Sequence, residues 1–236
     1  FTLHVTPALI REEVMEGAGF LPAGKDDIYK IEGEKLYLVG TSEQALAGIH
    51  MDDILKTSKL PLHYSGFSPC FRTEAGSHGR DTKGIFRVHQ FDKVEMFLFT
   101  RPEDSWDEHE WLLETAEEIW KGLEIPYRVV NVCSGEMGVV AAKKYDIEAW
   151  FPGQGNYREV VSCSNCTDYQ ARRLKIRSRE NPGDPTEYVH TLNSTACAIS
   201  RAIVAVLENY QNEDGSVDIP KALGPFMGID KIEVKK

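Results

Sequence analysis

Two stretches gather the side chains able to do chemistry: Phe71-Arg72-Thr73-Glu74 and, past a glycine-punctuated loop, Phe86-Arg87-Val88-His89-Gln90-Phe91-Asp92-Lys93-Val94-Glu95. Residues two apart on a strand share a face. Arg72 and Glu74 then face one way, and so do Arg87, Phe91 and Glu95 on a continuous strand. Two guanidiniums, a ring and carboxylates on one face of a hairpin match a nucleotide plus an amine: guanidinium for phosphate, ring for base, carboxylate for ammonium. The alternative is a two-sided strand pair with surface ion pairs. Charge on the same face as large aromatics, however, needs a partner if it is buried.

Other candidates are more isolated. In Glu159-Val160-Val161-Ser162 a carboxylate and a hydroxyl could share Mg²⁺, a hard ion that prefers oxygen and retains water. Cys163-Ser164-Asn165-Cys166 is a lone C-x-x-C with no second pair or His at ligand spacing, and it reads as structural rather than as a zinc or redox site. Arg172-Arg173-Leu174-Lys175-Ile176-Arg177-Ser178-Arg179, the basic cluster, either faces phosphates or guards a solvated strand edge. Arg201 has Cys197 and Ala205 at ±4, so small residues surround one cation that could lie flat over a planar ligand.

The elements that must position these groups follow from periodicity and punctuation. Pro7 to Arg11 opens a short helix ending near Gly17 or Gly19, and Leu36 to Val39 is a compact apolar run. Helical spacing runs from Gln44 to about Lys56. Tyr64 to Glu74 reads as strand, and Gly76, Gly79 and Gly84 lead into a second strand region from Ile85 to Thr100. Residues 104–123 form an amphipathic helix with Leu112, Leu113, Ala116, Ile119, Trp120 and Leu123 inward and an acidic solvated face. Tyr127 to Val132, Glu148 to Phe151, Arg158 to Cys163 and Tyr169 to Arg177 are further strands. Thr195 to Tyr210 is helical, with Ile199, Ile203, Val206, Leu207 and Tyr210 as its apolar stripe. Paired strands between helices, without βαβ rhythm, predict one α+β domain over residues 1–236 with a mostly antiparallel sheet.

Composition narrows the classes. The 236 residues are 42% hydrophobic with a formal net charge of −10, which excludes a diffuse polybasic coat for nucleic acid. No apolar run is long enough to span a membrane. Five cysteines, odd in number, argue for a reducing compartment, the cytoplasm, and against a disulfide framework. Opening in a strand-like run at Phe1, without Met, predicts a piece cut from a longer chain.

Taken together these segments resemble the catalytic domain of seryl-tRNA synthetases, class II aminoacyl-tRNA synthetases. Phe71 to Ser77 through Phe86 to Glu95 is similar to the family's motif 2, and His190-Thr191-Leu192-Asn193-Ser194-Thr195 through Arg201 to Gln211 is similar to motif 3. Phe1 to Pro7 resembles the tail of motif 1, the dimerisation element, and Thr41-Ser42-Glu43 resembles the serine-binding loop. The resemblance implies a six-stranded antiparallel sheet flanked by helices, and a homodimer. It implies activation of L-serine by ATP, then transfer of the seryl group to tRNA(Ser). By the same resemblance, Arg72 holds the α-phosphate and the attacking carboxylate, Glu74 the adenine end, and Arg87 the pyrophosphate portion. Phe91 and Arg201 sandwich adenine, with Thr73, Val88, Val160 and Val161 completing the ATP site. Glu159 and Ser162 ligate Mg²⁺. Glu43 and Glu95 take the serine ammonium, with Thr41, Ser42, Asn193 and Thr195 around its carboxylate and hydroxyl; Arg72 and Arg201 are the catalytic pair. Two features depart from the family pattern: its N-terminal tRNA-binding helical hairpin and most of motif 1 are missing, and Asn193-Ser194-Thr195-Ala196 stands where many members have Asn-Gly-Ser. Two alternatives remain open at this point, a serine-activating relative that loads another carrier and a non-catalytic paralogue.

Overall fold

The structure, a computed structural model, describes residues 1–75 and 84–234; Gly76, Ser77, Gly79, Lys235 and Lys236 lie outside the described residues. Along the chain run β1 (Thr2–Val5), β2 (Leu9–Arg11), α1 (Glu12–Gly17), β3 (Leu36–Leu38), α2 (Ser42–Gly48), β4 (Ile54–Lys56), β5 (Leu62–Phe71) and β6 (Gln90–Thr100). There follow α3 (Ser105–Gly122), β7 (Tyr127–Asn131), β8 (Lys143–Phe151), β9 (Asn156–Asn165), α4 (Tyr169–Leu174), β10 (Arg177–Arg179), β11 (Glu187–Tyr188), β12 (His190–Ala198) and α5 (Ile199–Tyr210). The chain closes with β13 (Val217–Asp218), α6 (Gly224–Met227) and β14 (Lys231–Ile232).

The main sheet has the order β1-β5-β6-β12-β9-β8-β7. Its six strands from β5 to β7 are antiparallel throughout, as expected, and a seventh, β1, joins the edge parallel to β5. One face carries Met96, Leu98, Ile147, Phe151 and Leu192, covered by Leu112, Ala116 and Trp120 of α3. The other carries Phe97 and Phe99, covered by Met15 of α1, Leu46 of α2 and Leu174 of α4. Burial of alternate residues on β6 to opposite cores makes Val94 to Phe99 almost continuously apolar apart from Glu95.

Several local expectations are corrected. Pro7 to Arg11 does not open a helix: Leu9–Arg11 alternates exposed, buried, exposed and pairs with β3, and the helix begins at Glu12. The helix expected from Gln44 to Lys56 stops at Gly48, and Ile54–Lys56 is a strand paired with β10. Tyr169 to Arg177 is not a strand. Gln170, Ala171 and Leu174 are its buried residues, which is helical spacing, and the turn ends at Lys175 with φ +56°. Thr195 belongs to β12, and α5 starts only at Ile199. The apolar stripe of α5 is divided: Val206 and Tyr210 pack against the core with Ala202 and Val204, and Ala205 is buried, while Ile203 and Leu207 are 44% and 39% exposed.

Helix α2 owes its start to its own side chains. Thr41 Oγ1 accepts from the Glu43 amide at 3.2 Å and Gln44 Oε1 accepts from the Gly40 amide at 2.9 Å, a reciprocal cap. Its flank lies against β5 at Gly66, where a Cβ would stand 2.8 Å from Ser42 Cβ and 3.0 Å from Leu46 Cδ1. Gly66→Ala is therefore expected to lower stability by about 1–3 kcal/mol, as overpacking does. A urea unfolding midpoint unchanged by the substitution would contradict this close approach.

Candidate active site

Beyond Phe97 and Phe99, the same face of β6 continues with Glu95, Lys93 and Phe91, which line a cavity of about 250 Å³. Lys93 Nζ lies 2.6 Å from Glu95 Oε2, and both residues are almost fully buried. Two β-bulges shape the walls. On β12 the register slips at Ala196, so Thr195 stands opposite Glu95 yet Ala198, not Cys197, stands opposite Lys93. On β9 it slips at Val160, so Ser162 faces Asp146 and Glu159 faces Glu148. Residues three apart point to opposite sides of a regular strand; the extra residue puts Glu159 and Ser162 on one face.

The β5–β6 ladder ends at Phe71 and Gln90, so Arg72, Glu74 and Arg87 are not on strands as expected. They converge nonetheless. The Arg72 amide bonds to His89 O at 3.0 Å, Arg72 Nε donates to Gly40 O at 3.2 Å, and its guanidinium stands 5.4 Å from the Phe91 ring centre. Glu74 takes φ +53°, and Arg87 Nη1 donates to its Oε2 at 2.9 Å. Arg201 packs over Phe86, 4.9 Å from the ring centre, and its Nη1 donates to Glu159 O at 2.7 Å. Burial lowers the Arg201 pKa, opposed by Glu159 and reinforced by Arg72 and Arg87.

On the same cavity wall, Glu43 Oε1 accepts from Gln170 Nε2 at 2.9 Å and Asn193 Nδ2 at 3.1 Å. Burial, then the charge of Glu95, push the Glu43 carboxyl up to about 7, against the Gln170 hydrogen bond and the charges of Lys93 and Arg72. Thr41, Asn193 and Thr195 line the same wall and are buried.

The cavity thus brings together Thr41, Glu43, Arg72, Glu74, Arg87, Val88, Phe91, Glu95, Glu159, Val160, Ser162, Asn193, Thr195 and Arg201. Three expected residues are not on its wall. Ser42 is buried behind it, bonded to Gly66 O and Ser68 Oγ. The Thr73 hydroxyl donates to Asp26 O, and Val161 faces the α3-side core. Sequence reasoning missed Lys93, Lys144, Phe86 and Phe20, which do line it. Lys93 had a signal, since it lies between Phe91 and Glu95 at the same parity.

Glu159 and Ser162 fit a hard divalent ion. Beside them on that face, the Asp146 carboxyl is pushed up to about 6, first by burial and then by Glu159. A cation there would relieve that crowding. Among the described residues no three His, Cys, Asp or Glu side chains form a metal cluster. Two protein oxygens suit Mg²⁺ that completes its shell with water and phosphate.

Residues 28–210 match the tRNA synthetase class II core domain (G, H, P, S and T). The chain belongs to that family. It is 60% identical over 228 residues to the serine--tRNA ligase of Thermococcus sibiricus, covering 97% of this chain and 50% of that protein. With the serine--tRNA ligase of Dictyoglomus thermophilum it shares 57% identity over 237 residues, 100% of this chain and 56% of the relative. Among solved structures, Pyrococcus horikoshii seryl-tRNA synthetase complexed with ATP superposes with TM-score 0.97 at 58% identity, over all of this chain and 53% of that one. Naegleria fowleri cytoplasmic serine-tRNA ligase in complex with AMP gives 0.93 at 45%, over all of this chain and 56% of that one. The chain spans about half the length of the relatives it matches, and its fold is that of the class II seryl-tRNA synthetase catalytic domain.

Within this class II core the remaining motifs lie apart from Arg72, Phe91 and Arg201. Burial pushes the Cys163 thiol up to about 12 and Cys166 upward as well, so neither offers a thiolate. The basic cluster is divided between α4 and β10, with Arg172 paired to Asp168 at 2.6 Å and Lys175 to Asp52 at 3.2 Å.

The raised Glu43 carboxyl has a sign that can be checked. A folded-state pKa above the unfolded one favours the fold while the group is protonated. That contribution is complete below about 4.5 and is lost as pH rises through about 7. Glu43→Gln should therefore gain Tm on the native protein at pH 8 relative to pH 5. An equal difference at both pH values would refute the shift.

Proposed function

We propose that this class II core activates L-serine with ATP and that the protein then passes the seryl group to tRNA(Ser). The observation that carries the reading is the convergence of Arg72, Phe91, Glu95, Glu159 and Arg201 on one cavity. In the first step a serine carboxylate oxygen attacks the α-phosphorus of ATP, the bond to the β-phosphate oxygen breaks, and pyrophosphate leaves. Two anions must meet, so cations must lie between and around them; Arg72 holds both the carboxylate and the α-phosphate, and Arg87 the departing phosphates. Phe91 and Arg201 hold the adenine from its two faces, with Glu74 at its exocyclic edge. Glu159 and Ser162 hold Mg²⁺, which when bound neutralises phosphate charge.

The serine ammonium lies between Glu43 and Glu95, where it relieves the repulsion that burial imposes on the two acids. Thr41, Asn193 and Thr195 surround its carboxylate and hydroxyl. Polar groups left unpaired by alanine reject it strongly, whereas threonine is excluded by size alone and less stringently. In the second step a tRNA ribose hydroxyl attacks the carbonyl of seryl-adenylate and AMP leaves. The protein acts as a homodimer through the β1 edge, where Phe1, Leu3 and Val5 expose apolar surface. No helix among the described residues is long and apolar enough to cross a membrane; the five free thiols support placement in the cytoplasm.

The test is ATP–pyrophosphate exchange dependent on serine and Mg²⁺. Arg72→Ala should reduce it by at least about 100-fold, the scale on which loss of one charge-stabilising donor is felt; an unchanged rate would overturn the assignment. Glu95→Ala should raise the serine KM far more than the ATP KM, and equal effects would remove its role in holding the ammonium.

A further inference from the structure

We propose that Gln170 is a positioning residue for serine recognition: from behind the cavity wall it commits one oxygen of the Glu43 carboxylate to the protein and leaves the other for the substrate ammonium. This rests on the serine-activating reading above and deepens it. Gln170 is completely buried in α4 and is not on the wall of the cavity that Glu43 and Glu95 line. Its amide is nearly spent: Nε2 donates to Ala18 O at 3.1 Å and to Glu43 Oε1 at 2.9 Å, and Oε1 accepts from Thr191 Oγ1 at 2.7 Å.

The direction of that amide is forced. The Ala18 carbonyl only accepts, so the NH₂ must lie on its side, and the remaining N–H is then aimed at Glu43. Thr191, on β12, holds the opposite end by giving its hydroxyl proton to the amide oxygen. Asn193, two residues along the same strand face, adds a second donor at 3.1 Å to the same Oε1. Among the described residues Glu43 Oε2 carries no hydrogen bond. The carboxylate is therefore clamped by one oxygen from three directions of the fold: the C-terminal cap of α1 through Ala18, α4 through Gln170, and β12 through Thr191 and Asn193.

The same hydrogen bond acts on charge. Burial and Glu95 favour the neutral carboxyl of Glu43, while the Gln170 N–H, Lys93 and Arg72 favour the carboxylate; the neighbouring Cys166 thiol stays protonated. A neutral Glu43 cannot pair with an ammonium. Gln170 thus shifts the acid toward its binding-competent form as well as holding it in its binding-competent direction.

The test compares Gln170→Leu and Thr191→Val with the unsubstituted intact protein in serine-dependent ATP–pyrophosphate exchange between pH 6 and 9. For Gln170→Leu the serine KM at pH 7 should rise about tenfold or more, the scale of a hydrogen bond to a charged group. The ATP KM should stay within about twofold of the parent value. The acid limb of kcat/KM for serine should move to higher pH, since loss of a donor to the carboxylate raises its pKa. Thr191→Val, which removes one hydroxyl and little volume, should move both quantities the same way by less. Serine and ATP KM values rising together, or an acid limb that stays in place, would overturn the proposal. If Gln170→Leu fails to fold, an unchanged serine KM and limb in Thr191→Val overturns it equally. Infrared titration of the Glu43 carboxyl, with Glu43→Gln as the blank, needs no substrate and should show the midpoint moving up in either variant. Absence of exchange in the unsubstituted protein would sink the serine reading, and the infrared midpoint would still decide the role of Gln170, a stationary midpoint overturning it.

Discussion

The Lys93–Glu95 pair, 2.6 Å apart and almost sealed from water on an interior strand, is the constraint on which the site depends. A buried ion pair is seldom a net source of stability, since desolvating two ions can cost more than their attraction returns. Its presence two residues beyond Phe97 marks the point where the face of β6 stops serving the core and starts serving a cavity. Everything packed nearby accommodates those charges. Glu43 sits across from Glu95, and Arg72 stands over Phe91. Removal of either member of the pair would leave the other buried without its counter-charge.

The two bulges are what allow one sheet to be core and cleft at once. A regular β12 would present Cys197 beside Lys93, and a regular β9 would turn Glu159 away from Ser162. One inserted residue on each of two adjacent strands reverses the alternation where the ladder leaves the core. Helix α5 begins directly after β12 and carries Arg201 to the wall of the same cavity. Phe86 supplies the ring against which that guanidinium rests, an apolar backing that fixes its plane without using its donors.

How far the chain could be read before folding follows from which signals are local. The apolar and acidic faces of α3 repeat at helical spacing for five turns, and the helix lies where the spacing put it. The even-numbered spacing of Phe91 and Glu95 placed them correctly because β6 is continuous from Gln90 onward. Arg72, Glu74 and Arg87 converge for a different reason than parity: they leave the ladder, and Glu74 adopts a left-handed turn that spacing cannot announce. The bulges were invisible because Val160-Val161 and Ala196 are ordinary strand residues. On α5 the apolar stripe divides, Val206 and Tyr210 packing against the core while Ile203 and Leu207 are exposed, and spacing alone does not show which part is covered. Gln170 gave no sign at all, since a lone glutamine before Ala171-Arg172 is unremarkable until Ala18, Glu43 and Thr191 surround it.

Charge placement in the cavity separates stability from use. Glu43 at about 7 and Asp146 at about 6 are acids that the fold would rather hold neutral. Each lies beside a second acid, Glu95 in one case and Glu159 in the other. Each pair has a lysine beside it, Lys93 at 2.6 Å from Glu95 and Lys144 at 3.5 Å from Asp146, and burial still holds the Glu43 and Asp146 carboxyls above the usual range. Burial lowers the Arg201 pKa against the charge of Glu159, and the charges of Arg72 and Arg87 add to the lowering. An added cation would relieve the crowding of either acid pair, and an anion the crowding of the guanidiniums around Arg201.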